Sequence, residues 1–253
     1  MPKQTSRKTT RATSASIRDQ IKRVTTELLV KHGFRGTNFR SIARRLKTTT
    51  TNIHYHFGNK SSLVEEVVQD YVTDASRRQM LIWLDGSASL REKLRSAAAL
   101  NYQRYKKFNR GAHTNRPWSL IGRLRLEMDV LTPTAVAALA SFTTDVRAYV
   151  RTAVHAAAEK NELRSEAPLD KVAGLLGSIV DSASVLSQDA KSFESLNQIF
   201  EIVEHLIYSA YGSASRRPVP ATATDWGGQG EPRLDDAVLR PSGPGRAKGK
   251  QLA

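Results

Sequence analysis

Apolar residues recur every three or four positions along most of this chain, the spacing that places them on one face of an α-helix. The first clear run comprises Ile17, Ile21, Val24 and Leu28, and it ends before Gly33, a residue favoured just beyond a helix C-terminus. No segment shows sustained alternation of apolar and polar residues, the pattern of a half-buried strand. The chain is therefore predicted to be all-α.

Changes in composition divide the chain into four regions. Residues 1–15 are mostly Thr, Ser, Lys and Arg and are predicted to form a disordered basic arm. Residues 16–62 contain three short helical patterns, and residues 63–212 contain the longer ones that would form a second helical domain. Residues 213–253 are rich in Pro, Gly, Ser, Ala and charge, and are predicted to be a disordered tail.

Positive charge is concentrated near the N-terminus. The 253 residues carry a formal net charge of +15, and residues 1–60 hold 14 Lys and Arg but only two acidic residues. Basic charge focused in one small region is typical of a nucleic-acid binder, although a basic solvated surface would have the same composition. The charge distribution is therefore consistent with DNA or RNA binding and equally with a basic solvated surface.

Several classes of protein are excluded by what the sequence lacks. There is no Cys, so disulfides and thiolate metal sites are ruled out, and this fits a reducing cytoplasm. No apolar run approaches the roughly 18 residues that a membrane span needs, and no secretory signal is recognisable, so we expect a cytoplasmic protein. No Ser-His-Asp order, phosphate loop or cluster of carboxylates stands out, so neither catalysis nor a cofactor is predicted.

Residues 39–63 predict two short helices joined by a tight turn, followed by the start of another helix. An apolar seam of Ile42, Leu46, Ile53 and Phe57 would lock the two short helices together, and the second of them is otherwise polar. The alternative is a helical hairpin inside a bundle, with a Thr run that is merely solvated. Consecutive exposed β-branched residues are poor helix formers, so a purely structural helix would not favour them.

A helix-turn-helix places its second helix in the major groove of DNA, where hydroxyl and amide groups can read base edges. The side chains predicted to point away from the seam are Thr50, Thr51, Asn52, Tyr55 and His56. Phosphate contacts are predicted from Arg40, Arg44, Lys47, Tyr55 and Lys60, and from exposed N–H groups at the start of the fourth helix.

The stretch from Ile17 to Leu63 resembles the DNA-binding domain of the TetR family of bacterial transcriptional regulators. Three motifs carry the resemblance: His32-Gly33-Phe34-x-x-Thr37, Phe39-x-x-Ile42-Ala43, and Asn52-Ile53-His54-Tyr55-His56-Phe57-x-x-Lys60-x-x-Leu63. The resemblance implies base or phosphate contact from Thr49, Thr50, Thr51, Asn52, Tyr55 and His56, phosphate contact from Lys60, and a cap and a phosphate contact from Thr37.

The chain departs from the family pattern at two places. Lys47 and Thr48 stand where the family usually has Gly and an apolar residue, so a side chain occupies a turn position that favours Gly. His54 replaces an aromatic residue in the second helix of the motif.

The resemblance also implies the rest of the architecture and the function. It implies about nine helices, a homodimer that reads a near-palindromic operator on double-stranded DNA, and a C-terminal domain for ligand binding and dimerisation. The implied function is a transcriptional repressor that a small molecule releases from its operator. The effector itself cannot be identified from the sequence.

Two sets of residues are predicted in the second domain, each with a simpler alternative. The candidate ligand pocket comprises Trp83, Tyr102, Tyr105, Trp118, Phe142 and Tyr149, although aromatic residues at helical spacing are more often plain core. Broad apolar faces on predicted helices near residues 169–187 and 192–211 form either the monomer core or a dimer interface. The candidate interface comprises Leu176, Ile179, Val180, Phe200, Val203 and Ile207.

Other interpretations remain open at this stage. Arg123, Arg125 and Glu127 alternate along the chain and are either polar anchors or surface residues. His54 and His56 could suggest a metal, but helix positions two apart point about 200° away from each other, so metal binding is not predicted. A different functional class is an architectural or division-linked DNA-binding protein that has the same head and no small ligand.

Overall fold

The computed structural model describes residues 7–109 and 116–213, and within these ranges it contains α-helices, one 3₁₀ helix and no β-strand. The helices are α1 (Arg7–His32), α2 (Phe39–Leu46), α3 (Thr50–Phe57), α4 (Lys60–Trp83), α5 (Leu90–Phe108), α6 (Leu120–Leu124), the 3₁₀ helix (Arg125–Val130), α7 (Pro133–Glu159), α8 (Leu169–Asp189) and α9 (Phe193–Tyr211). The predicted all-α fold class is confirmed. None of the helices in the described residues is long and apolar enough to cross a membrane.

Helix α1 begins earlier than the sequence predicts. Its first residue is Arg7, so the backbone of residues 7–15 is helical where the sequence predicts a disordered arm. No Gly or Pro lies between Arg7 and Ile17 to interrupt the helix, which explains how it extends beyond its apolar run. Residues 1–6 and 214–253, which include nearly all of the predicted tail, lie outside the described residues.

The first three helices share one small core with the start of α4. Ile21, Ile42, Ile53 and Leu63 are fully buried there, one from each of these four helices. The seam predicted between α2 and α3 is confirmed, because Ile42 and Ile53 are buried, Phe57 is nearly so, and Leu46 is half-buried against the core. Burial of this seam leaves the opposite face of α3 outside the protein.

A side-chain capping box defines where α2 begins. Asn38 Oδ1 accepts a hydrogen bond from the Ser41 N–H at 2.9 Å, and Ser41 Oγ reaches back to the Asn38 N–H, which completes a capping box. The predicted cap at Thr37 is therefore wrong, since Thr37 is fully buried and its hydroxyl donates to the Gly33 carbonyl at 2.7 Å. A buried hydroxyl that is already paired cannot reach a phosphate either.

The second domain is built around two long helices. Helix α4 packs mainly against α7, α7 packs against α8, and α9 packs against both α5 and α8. Thr132 caps α7 and Pro133 occupies its first turn, where Pro is favoured. The short helix α6 contacts α1, α4 and α8, so it connects the N-terminal head with the second domain.

Candidate nucleic-acid interface

Helix α3 is held on the protein by contacts at its C-terminal end. The Arg18 guanidinium lies 4.3 Å from the centroid of the Phe57 ring, and its Nη1 donates to the His56 carbonyl. Glu66 on α4 accepts from the same guanidinium, so α1, α3 and α4 meet at this point. The anchoring leaves the opposite side of α3 free to contact another molecule.

The turn between α2 and α3 keeps the geometry of a glycine turn without a glycine. Lys47 has φ 52° and ψ 42°, which is the left-handed conformation. The Thr48 N–H donates to the Ala43 carbonyl at 3.0 Å, and the Lys47 N–H points to the Arg44 carbonyl, as in a Schellman motif. The departure from the family pattern therefore leaves the turn in place but puts an L-residue in a conformation that costs it free energy.

The N-terminal end of α3 is organised by two threonines. Thr49 Oγ1 accepts the Asn52 N–H at 3.1 Å and caps the helix. The Asn52 side-chain amide donates to Thr48 Oγ1 at 3.0 Å, and Asn52 is half-buried as a result. This bond orients the Asn52 amide while leaving its carbonyl oxygen available as an acceptor.

Thr50, Thr51 and Tyr55 form the outward face of α3. All three are exposed, and the exposed fraction of Tyr55 is 84%, the highest of the large apolar and aromatic residues on the described surface. The Tyr55 and His56 rings meet edge to face, with their centroids 5.3 Å apart. A side chain this exposed contributes little to the core and is accessible to a binding partner.

Three cations line one face of α2 and the turn that follows it. Arg40, Arg44 and Lys47 are exposed, lie at helical spacing, and form no ion pair within the described residues. Neighbouring Arg45 instead pairs with Glu27 at 2.8 Å. The head therefore presents uncompensated positive charge beside α3, as phosphate binding requires.

Lys60 does not occupy the position predicted for it. Its ammonium donates to the Phe34 carbonyl at 3.0 Å and to the Thr37 carbonyl at 3.1 Å, and it lies 3.9 Å from the centroid of the Phe34 ring. Partial burial lowers the pKa of Lys60 from its ordinary value, and the nearby Glu127 carboxylate opposes this change. Lys60 thus holds the turn between α1 and α2, and its predicted contact with a DNA phosphate stays a prediction.

His54 also has a structural role. Its Nδ1 lies 2.7 Å from the Gly58 carbonyl, at the end of α3, and its ring meets Phe39 edge to face with centroids 4.6 Å apart. The imidazole thereby makes a ring contact with Phe39 between α2 and α3. In the described residues no group of three His, Cys, Asp or Glu side chains could hold a metal.

The six aromatic residues of the predicted pocket do not come together. Tyr102, Tyr105 and Trp118 gather around Phe193, the first residue of α9, with centroid distances of 5.1, 5.1 and 6.4 Å. Others lie elsewhere: Trp83 is fully buried at the end of α4, where its indole N–H donates to Gln79. These side chains belong to the hydrophobic core, which is the simpler of the two interpretations of the aromatic residues. Two surface grooves, one on α7 and one between α7 and α8, are lined by none of the six.

The residues predicted for the dimer interface lie mostly on the faces of α8 and α9 that pack inside the monomer. Most of the residues chosen from the sequence are buried inside the monomer, namely Leu176, Val180, Phe200 and Ile207, while Ile179 and Val203 are half-buried. The apolar residues that these two helices expose are Leu175, Val185, Ile202 and Leu206. Helical periodicity identifies apolar faces, but it does not reveal which one the neighbouring helix covers.

Comparisons with known proteins agree with this geometry. Residues 21–67 match the family model described as bacterial regulatory proteins, tetR family. No curated protein sequence matches the chain.

Similar solved structures cover most of the chain. One is reduced NemR from E. coli, at 17% identity and a TM-score of 0.62 over 75% of this chain and 96% of that one. A TetR-family regulator from Agrobacterium tumefaciens has 17% identity and a TM-score of 0.65 over 76% and 98%. A regulator from Saccharomonospora viridis in complex with choline has 18% identity and a TM-score of 0.62 over 79% and 99%. At this identity the likeness shows the fold.

Proposed function

We propose that this chain, which has the helix-turn-helix domain and the fold of TetR-family transcriptional regulators, is a sequence-specific repressor that a small molecule releases from its operator. One observation carries the proposal: Thr50, Thr51 and Tyr55 project from α3 beside exposed cations of α2 and the following turn that form no ion pair within the described residues, while the opposite side of α3 is buried. A polar exposed helix flanked by free positive charge matches the major groove of DNA in both shape and charge.

The proposed contacts divide into base contacts and phosphate contacts. Thr50, Thr51 and the Asn52 carbonyl lie near the N-terminal end of α3, which is the end that reads base edges in a helix-turn-helix. Arg40, Arg44 and Lys47 would bind phosphates on the flanking strand, while the Thr49 cap and the bond from Asn52 to Thr48 would hold the N-terminus of α3 in position. Tyr55 and His56 would contact the backbone or a base further along the groove.

A homodimer supplies the second reading helix. Leu175, Ile202 and Leu206 form exposed apolar stripes on α8 and α9, and a two-fold axis through these stripes would bury each against its copy. The two α3 helices would then enter successive major grooves, whose separation is about 34–36 Å. A two-fold protein of this kind reads a near-palindromic site.

The proposed effector binds within the second domain. The Asn101 side chain on α5 is only 5% exposed, and its Nδ2 has no hydrogen-bond partner among the residues that the structure describes. A buried amide donor left unpaired is costly, and a ligand with an acceptor oxygen would satisfy it. The similar regulator from S. viridis was solved with choline, so at least one protein of this fold binds a small molecule. Such a ligand would act by favouring a head spacing that does not fit DNA.

Selection of binding sites from random double-stranded DNA tests the proposal. We expect a near-palindromic consensus and, for Tyr55→Ala and Thr51→Ala, a loss of operator affinity with native circular dichroism. Thr144→Ala on α7, another exposed threonine, is the matched control and should bind as the wild type does. Enrichment of no consensus, or unchanged affinity in both α3 variants, would refute the proposed mode of reading.

The alternative function is an architectural DNA-binding protein without a small ligand. The observation that favours it is the close packing of Tyr105, Trp118 and Phe193, which fills the region where the sequence predicts a pocket. An architectural protein would bind DNA with little sequence preference, so the same selection experiment separates the two functions. A compound that raises the melting temperature and lowers operator affinity would favour the repressor.

A further inference from the structure

Four charged residues at alternate positions, Arg123, Arg125, Glu127 and Asp129, form what we call the charged connector. They span the end of α6 and the 3₁₀ helix, between the N-terminal head and the second domain. The backbone changes direction at Glu127, where φ is −132° and ψ is 28°. Alternate spacing and this kink allow the connector to reach two different parts of the protein.

One end of the connector enters the turn between α1 and α2. Glu127 is 7% exposed, and its Oε2 accepts the Arg35 N–H at 2.9 Å while its Oε1 lies 3.2 Å from Arg123 Nη2. The carboxylate fits against Gly33, where a Cβ atom would lie only 1.8 Å from Glu127 Oε1. Gly33 thus provides space for a side chain of the second domain, in addition to the left-handed backbone (φ 68°) that ends α1.

The other end of the connector reaches the long helices of the second domain. Arg125 Nη2 donates to Asp181 Oδ1 on α8 at 2.9 Å and to Thr143 Oγ1 on α7 at 2.5 Å. The Asp181 carboxylate is mostly buried, so solvent screens this pair little. Since α8 also carries part of the exposed apolar stripe, the connector joins the proposed dimer surface to the head.

The outer pair of the connector differs from these contacts. Asp129 Oδ2 lies 2.6 Å from Arg35 Nη2, but both side chains are more than half exposed. Exposed ion pairs contribute little, and salt weakens them further. Asp129 therefore offers a control on the same short segment, against the same residue of the head.

We propose that the charged connector fixes the angle of the DNA-binding head relative to α7 and α8, through the buried Glu127 and Asp181 carboxylates. This inference rests on the proposed function. In a dimer whose α8 helices are held together, this angle sets the spacing between the two α3 helices. Glu127 and Asp181 are positioning residues, because they select the operator spacing without touching DNA.

The test uses the full chain and a series of operators. The selected operator is synthesised with its half-sites moved apart or together by one or two base pairs, each step being about 3.4 Å along the duplex. Affinity is measured for the wild type, Glu127→Gln, Asp181→Asn and the control Asp129→Asn. Hydrogen exchange at residues 33–37 is measured on the same four proteins without DNA.

The expected result is a change in spacing preference rather than a uniform loss of affinity. Glu127→Gln and Asp181→Asn should each reduce the preference for the native spacing by about tenfold, the usual size of coupling between two sites. Both should speed exchange at residues 33–37, because Glu127→Gln removes the charged acceptor of the Arg35 N–H and Asp181→Asn loosens the connector that carries this acceptor. Asp129→Asn should keep the wild-type preference and exchange rates.

Two results would overturn the inference. Unchanged spacing preference in both buried-carboxylate variants would show that other contacts, such as those of α4, set the head angle. Unchanged exchange at residues 33–37 in Asp181→Asn would show that the two ends of the connector are not linked. Failure of the proposed function is a distinct result, because the wild type itself would select no sequence, and the exchange measurement would still decide on the connector.

Discussion

Replacement of Lys47 by Gly should stabilise the protein and weaken its binding to DNA. Lys47 adopts φ 52° and ψ 42°, and the left-handed conformation costs an L-residue roughly 1–2 kcal/mol. The greater freedom of Gly in the unfolded chain offsets about 0.5–1 kcal/mol of this. The net gain is at most about 1.5 kcal/mol and centres on about 0.75 kcal/mol, which corresponds to a rise in melting temperature of about 2–3 °C for a domain of this size.

The same replacement removes a proposed phosphate contact. Lys47 is exposed and forms no ion pair within the described residues, so its charge is available to DNA. Each phosphate contact contributes about 0.9 to the slope of log affinity against log salt concentration. Lys47→Gly should therefore flatten that slope by about 0.9 for each head of the dimer.

Lys47→Ala separates the two effects. Alanine removes the charge but keeps the left-handed strain, so it should flatten the salt slope without the stability gain. Thermal unfolding and salt-dependent DNA titrations of both variants provide the measurements. If Lys47→Gly fails to exceed Lys47→Ala in stability, the turn is not strained as argued, and an unchanged salt slope in both variants would exclude Lys47 as a phosphate contact.

Three further predictions concern other parts of the structure. Lys60→Ala should lower the free energy of unfolding by about 1–3 kcal/mol, measured in urea, because two carbonyls lose their donor. Leu206→Glu should produce monomers in sedimentation experiments, whereas Leu81→Glu, at an equally exposed leucine of α4, should not. The pKa of Glu66 is lowered, since its hydrogen bonds to Arg18 and Lys22 outweigh the opposing effect of burial. Its stabilising effect is therefore present above its unfolded pKa and lost as the pH falls through the folded one, so the melting-temperature advantage over Glu66→Gln should shrink between about pH 6 and pH 3.

Much of the head could be predicted because its signals are local. Thr49 and Asn59, both residues that favour the N-cap position, cap α3 and α4, and Gly58 ends α3. Capping depends on residues three positions apart, and the seam depends on four apolar residues at helical spacing, so neighbouring positions suffice. The sequence also predicts which face of α3 is exposed, because the buried face contains its only aliphatic residue.

The second domain was less predictable for a related reason. Helices α8 and α9 are apolar on more than one side, and periodicity does not rank these sides. The structure buries Leu176 and Phe200 inside the monomer and exposes Leu175 and Ile202, one position or two away. Such a choice depends on how α5 and α7 approach, which no local pattern encodes.

The sequence by itself determined the helical fold class, most helix boundaries, and the polar face of α3 with its basic surroundings. Only the tertiary structure decided the roles of Lys60, Thr37 and Glu127. The Lys60 ammonium meets carbonyls from a turn far from it in sequence, and Glu127 fits against Gly33 across more than ninety residues. Capping and periodicity act between positions a few residues apart, whereas the partners of long or buried polar side chains are set by the packing of distant helices.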